Sequence, residues 1–200
     1  MGGVTWAEYV TLREKPENRG VRMTYDGRTG LLELEMPGEP HETISRLISA
    51  FVLAFCEERN VLGRTTGSTT WAREGLLRGL EGDETFYLTR FDEIRGREVD
   101  LDAGDPPPDL AVEVDVTHPS VPKLPIYAGL GVPEVWTWAG GTITVRRLGA
   151  DGRYAAVGAS RELPGIPLRA AEGLLARWAD AATTELTAEF RAAVRAAGDG

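Results

Sequence analysis

Residues 109–116 read Asp-Leu-Ala-Val-Glu-Val-Asp-Val, an unbroken alternation of aliphatic residues with acidic or small ones. A strand sends successive side chains to opposite faces. Leu110, Val112, Val114 and Val116 therefore share one apolar face, and Asp109, Glu113 and Asp115 share the other, with Ala111 among them. Three carboxylates along one face repel one another and call for a cation. Glu113 and Asp115 are neighbours on that face, about 6.6–7 Å apart at Cα, and can converge on one ion or on adjacent ions. Asp109 lies roughly 13 Å from Glu113 by the same rise and is too far to share that ion directly. An exposed sheet edge, or a network paired with arginines, would produce the same acidic face.

The rest of the chain supplies what such a strand needs on its apolar side. Ile44, Leu47, Ile48, Phe51, Val52 and Phe55 follow helical spacing, so 41–59 is an amphipathic helix with a wide buried stripe. The Val face of 110–116, a central or near-central strand, is expected to lie beneath it. Cys56 lies near the stripe and reads as a small buried residue. Residues 5–13 read as a first helix, with Thr5 as N-cap and Glu8 three positions on. Residues 23–25 and 31–36 flank an Asp26-Gly27 turn and read as a hairpin. One strand is expected over 63–73, a turn-rich link over 76–82, a strand over 85–88 and mostly loop over 91–104. Residues 123–130 read as a short helix that Gly131 closes. Strands over 134–138, 142–147 and 154–157 follow, then helices over 174–178 and 184–197. The fold class is α/β, with helices packed against a mixed sheet. One domain is expected over 1–200, with a helical C-terminal segment at about 170–197.

Composition narrows the function classes. A hydrophobic share of 42% and a charged share of 26% are those of a soluble globular protein. No apolar run approaches the roughly 18 residues that span a bilayer, so no membrane partner is expected. The first residues, MGGVTWAEYV, lack a secretion signal's basic and apolar regions, and a cytoplasmic location is the expectation. The single cysteine excludes an internal disulfide and a thiolate zinc cluster. A formal charge of −9 argues against a nucleic-acid partner. A metal would neutralise part of it, and a local basic patch can coexist with net negative charge.

Hard divalent cations take carboxylates, waters and substrate phosphate oxygens. Beyond Glu113 and Asp115 the best further donor is Asp83, in a Gly-Asp setting at a strand start. A nearby lysine could stabilise charge developing on a phosphate or help to deprotonate an attacking water. Lys123 is the only lysine after Lys15. His41 reads as a capping or surface residue at a helix start, and His118 as a turn residue. No phosphate-cradling glycine loop and no nucleophilic serine elbow is present.

These residues together resemble the Uma2 family of restriction-endonuclease-like proteins, within the PD-(D/E)xK nuclease superfamily. The resemblance runs from Thr5 to about Pro167. It is carried by 78–88 (RGLEGDETFYL), by 108–115 (PDLAVEVD) and by Lys123-Leu124-Pro125-Ile126-Tyr127 continuing into Gly131-Val132-Pro133-Glu134-Val135-Trp136. His41 opening the first long helix also fits. The resemblance implies a restriction-endonuclease-like mixed sheet flanked by helices. It also implies a site of acids plus lysine that binds Mg²⁺ or Mn²⁺ and cleaves DNA phosphodiesters. By position, Asp83 matches the first motif aspartate and Glu113 the acid of (D/E)xK. Asp115 stands where the motif lysine is usual, and Lys123 matches the displaced lysine of this family. The implied catalytic residues are Asp83, Glu113, Asp115 and Lys123, with Asp83, Glu113 and Asp115 holding the metal. Gly82 replaces the usual proline before the aspartate, and Pro122 precedes Lys123 where a polar residue is more usual. Two alternatives are a catalytically inactive interaction module that retains the fold, and a hydrolase of small phosphodiesters. A homodimer is also expected, since duplex-cutting nucleases often pair two sites, with Trp136, Trp138 and Trp178 as apolar surface.

Overall fold

The computed structural model describes residues 1–115 and 122–198. In chain order the described elements are α1 (Trp6–Glu14), β1 (Arg22–Asp26), β2 (Leu31–Glu35), α2 (Glu39–Arg59), β3 (Arg64–Thr65), β4 (Thr70–Arg73), β5 (Arg78–Glu81), β6 (Glu84–Tyr87), α3 (Phe91–Ile94), β7 (Leu110–Val114), α4 (Leu124–Leu130), β8 (Glu134–Ala139), β9 (Thr142–Leu148), β10 (Tyr154–Val157), α5 (Leu168–Leu175) and α6 (Thr183–Ala196). They form two sheets. The smaller is antiparallel with order β2-β1-β5-β4. The larger has order β10-β9-β8-β7-β6-β3 and is mixed: β7 and β8 run parallel and every other pair is antiparallel. Parallel neighbours need a crossover, and the connection from β7 to β8 carries α4.

The alternation at 110–114 divides the protein into two cores. Leu110, Val112 and Val114 join Ile44, Leu47, Ile48, Phe51, Val52 and Phe55 of α2, together with apolar residues of α5 and α6. Ala111, on the other face, joins Ile126, Tyr127 and Leu130 of α4, with Trp71 and Leu80 of the small sheet. All five residues of β7 are buried. The acidic face is therefore neither an exposed edge nor a solvated surface, because a second layer covers it. Cys56 lies buried on the core face of α2, and burial, aided by the Glu57 charge, pushes its thiol up to about 11.

Several boundaries follow local chemistry. Thr5 caps α1 in a full capping box with Glu8. Asn60, in the left-handed region at φ 55°, ends α2. The expected strand over 63–73 is instead two short strands in different sheets. The chain turns between them at Gly67, whose φ of +55° a continuing strand would not adopt. The expected link over 76–82 contains β5, the central partner of both β1 and β4. Helix α5 begins at Leu168, earlier than expected. Among the described residues, no helix is long and apolar enough to cross a membrane.

Candidate active site

The site forms where the two sheets meet. Residues Gly82 and Asp83 are the whole link between β5 in the small sheet and β6 in the large one. Strand β6 pairs with β7, placing Asp83 against the end of β7. There the backbone N–H of Val114 donates to Asp83 Oδ2 at 2.6 Å. His41 Nε2, from the first turn of α2, lies 3.1 Å from the same oxygen. Arg22 of β1 donates from Nη1 to Asp83 Oδ1 and from Nη2 to Glu42 Oε1 at 2.5 Å. The Asp83 side chain has no exposed surface. Its burial favours the neutral acid, yet the His41 hydrogen bond and the Lys123, His41 and Arg22 charges outweigh this and hold the carboxyl below its ordinary range. For His41, burial opposes the charge, but the Asp83 contact prevails and raises its pKa.

Glu113 leaves β7 toward α4. Lys123, the N-cap residue of α4, brings Nζ to 2.6 Å from Glu113 Oε2, and the Tyr127 hydroxyl donates to Glu113 Oε1. Positions 123 and 127 are one helical turn apart, so both reach the same carboxylate. Burial pushes the Glu113 carboxyl up to about 7; the Lys123 ammonium opposes that and the Asp83 charge adds to it. For Lys123, burial works against the charge, but Glu113 and Asp83 outweigh it and keep the ammonium protonated. Glu35, at the end of β2, brings Oε2 to 4.0 Å from the same ammonium.

Glu113, Asp115 and Lys123 line a cavity of about 1000 Å³. Asp115 is half-buried, and its backbone N–H donates to Trp138 O at 2.8 Å. Asp83 is enclosed and does not line the cavity. Thus the structure brings Asp83, Glu113 and Lys123 into one charge cluster and sets Asp115 on the wall beside it. Among the described residues, no three His, Cys, Asp or Glu side chains are gathered as a set that could hold a metal ion. Arg28, Arg78, Arg146 and Arg153 also line the cavity. Glu33 and Glu35 line it too, and Arg28 and Arg78 pair with Asp26, so the lining mixes both signs, with Arg146 and Arg153 as further cations beside Lys123.

Sequence reasoning passed over four contributors. Arg22 and Glu35 carry no local signal for the site, since their partners lie 61 and 88 residues away, and Tyr127 closes the Lys123-to-Tyr127 block but was given no role there. His41 was expected to be a cap or surface residue but is buried against Asp83, because α2 begins directly over the β5–β6 link. His118 lies outside the described residues. Trp136 offers no dimer surface: it is 1% exposed and its Nε1 donates to Glu134 Oε1 at 2.8 Å. Trp138 and Trp178 pack, half-buried, against the main core.

The model of the Uma2 family, described as "Putative restriction endonuclease", matches residues 6–182. The chain belongs to the Uma2 family. No curated protein matches the sequence. Among solved structures, the chain is similar to the "putative nuclease belonging to DUF820 from Anabaena variabilis ATCC 29413". That match has a TM-score of 0.55 at 13% identity and covers 94% of this chain and 99% of that chain. The mixed-sheet nuclease fold implied by the sequence is the one observed.

Proposed function

We propose that the chain is a metal-dependent endonuclease that hydrolyses DNA phosphodiester bonds at the cavity end of β7. The observation that carries this reading is the Lys123 ammonium 2.6 Å from buried Glu113, beside the buried acid Asp83. Glu113 and Asp115 offer hard oxygen donors to the cavity, which suits Mg²⁺ or Mn²⁺. Asp83 would join them by yielding its contact with Arg22. When bound, the ion supplies Lewis acidity toward a phosphoryl oxygen and a more acidic water. The chain's own residues do the rest. Lys123 places a fixed positive charge where the phosphate gains negative charge. Arg146 and Arg153 offer cations to the flanking phosphates, while Arg28 and Arg78 on the same wall are paired with Asp26. Glu113 itself is buried, which strengthens its contact with Lys123.

The second reading is an interaction module that retains the fold without catalysis. It is favoured by the pairing at the site: each carboxylate oxygen of Asp83 and Glu113 already has a protein donor. The deciding experiment incubates the folded chain with plasmid, single-stranded DNA and a small phosphodiester, with Mg²⁺ or Mn²⁺ and in chelator. The endonuclease reading expects metal-dependent cleavage of DNA that Glu113→Gln and Asp83→Ala both abolish. Cleavage of the small diester alone would move the assignment to a small-substrate hydrolase. A folded parent inert on every substrate with both metals would leave the interaction module. A homodimer belongs to the endonuclease proposal, because two paired sites cut both strands; a monomer mass by sedimentation at tens of micromolar would remove it.

A further inference from the structure

Gly82 is half of the two-residue link between β5 and β6, and the structure supplies a physical reason for a glycine there. Gly82 does not occupy the left-handed region that favours glycine, so its backbone does not demand one. Space does. A Cβ at position 82 would overlap the Tyr127 hydroxyl, and would lie 3.3 Å from Thr85 Cγ2 and 3.6 Å from Glu113 Oε1. The Tyr127 ring is fully buried in the core beneath α4, so it has nowhere to retreat. Its hydroxyl points out of that core and donates to Glu113 Oε1, leaving Oε2 to Lys123.

We propose that Tyr127 is a positioning residue that holds the Glu113 carboxylate in register with Lys123, and that Gly82 is the space this hydroxyl requires. The proposal rests on the nuclease reading for what Glu113 does, but its geometry stands apart from the reaction. A rigid phenol is suited to the task. It has two side-chain torsions, both fixed by packing, whereas Lys123 reaches the same carboxylate on a flexible four-carbon stem. Without the hydroxyl, Glu113 keeps its lysine but loses the contact that selects which oxygen faces the cavity.

The test is a double-mutant cycle between positions 82 and 127, read first by thermal unfolding of the metal-free protein. Gly82→Ala should lower Tm clearly in the parent and far less in the Tyr127→Phe background, because the clash has gone. Equal effects in the two backgrounds would overturn the proposal. The second readout is kinetic. Tyr127→Phe should lower kcat about tenfold or more with KM nearly unchanged, the size expected for a lost hydrogen bond to a charged group. Tyr87→Phe is the control. Tyr87 lies in the same core, and its hydroxyl donates to Pro106 O at 2.8 Å, away from Glu113. It should cost stability and leave kcat unchanged. Equal loss of kcat in both variants would assign Tyr127 a purely structural role and overturn the proposal. A crystal structure of Tyr127→Phe with Glu113 unmoved would overturn it as well. A parent that cleaves nothing would sink the nuclease reading, while the Tm cycle and the crystal structure would still decide the positioning.

Discussion

Asp109 and Glu113 leave the same face of one chain segment, four residues apart, and both are buried. Asp109 Oδ2 accepts from the backbone N–H groups of Leu88 at 2.7 Å and Arg90 at 3.0 Å, which fixes the turn between β6 and α3. Glu113 accepts only side-chain donors, the Lys123 ammonium and the Tyr127 hydroxyl. Asp109, tied to both amides of that turn, is committed to the fold, because releasing it unmakes the turn. A carboxylate tied to side chains can exchange partners while the backbone stays in place. It also stands at the cavity, which Asp109 does not. One acidic face thus serves two purposes, and the type of donor separates them.

The largest effect expected from this contrast is at Asp109. Asp109→Ala leaves two backbone N–H groups without their acceptor, one of them on buried Leu88. The expected loss is about 3–4 kcal/mol, from two unmade hydrogen bonds and the desolvation that remains. The urea midpoint should fall accordingly at unchanged m-value. A loss below about 1 kcal/mol would mean that the turn finds other acceptors, and the division between fold acid and site acid would fail.

Next in size is a pH effect confined to Glu113. Its carboxyl is raised from 4.5 to about 7 in the folded protein, mainly by burial. Between those values the folded state holds a proton that the unfolded state has released. Stability from this group is therefore full below about pH 4.5 and is lost as pH rises toward 7, the reverse of a carboxylate held low by a partner. In chelator, the difference in unfolding free energy between the parent and Glu113→Gln should change across that window by on the order of 2 kcal/mol, the parent losing ground as pH rises. A flat difference from pH 5 to 7.5 would contradict it. Added Mn²⁺ should reduce the trend, since a cation favours the ionised carboxylate.

What the sequence made legible follows the same division between local and distant causes. The strand at 110–114, helix α2, the capping box of α1 and the hairpin at β1 and β2 each declare themselves by period or by a short motif. Strand β5 was hidden because Gly79 interrupts its pattern. A Cβ there would overlap the Tyr9 hydroxyl and meet Ala72 Cβ at 2.9 Å, so this glycine is a packing requirement that resembles a turn signal. Asp83, Glu113 and Lys123 could be singled out from acidic alternation, a Gly-Asp step and a lone lysine. Arg22 and Glu35 could not, and His41 could be noted only as opening α2, because only the docking of β1, α2 and β2 onto the β5–β6 link brings them there. The arginine lining was invisible for a similar reason: its members come from the β1–β2 turn, β5, β9 and the turn before β10.

The smallest effect, and the sharpest test of the division, belongs to Asp115, the third acid of the face. Its backbone N–H already continues the pairing of β7 with β8 through Trp138 O, and a change of side chain does not disturb that bond. The side chain is half-buried on the cavity wall beside Glu113. Asp115→Asn preserves shape and backbone, so the metal-free protein should change by no more than about 0.5 kcal/mol. Divalent ion should tell the two roles apart. Mn²⁺ at a hundred times its Kd should stabilise the parent by about 2.7 kcal/mol through mass action. If Asp115 shares the ion with Glu113, Asp115→Asn should shrink that gain while the metal-free melting temperature holds. An unchanged metal gain with a lower metal-free melting temperature would place Asp115 with Asp109 as an acid of the fold, leaving Glu113 the one site acid on this face.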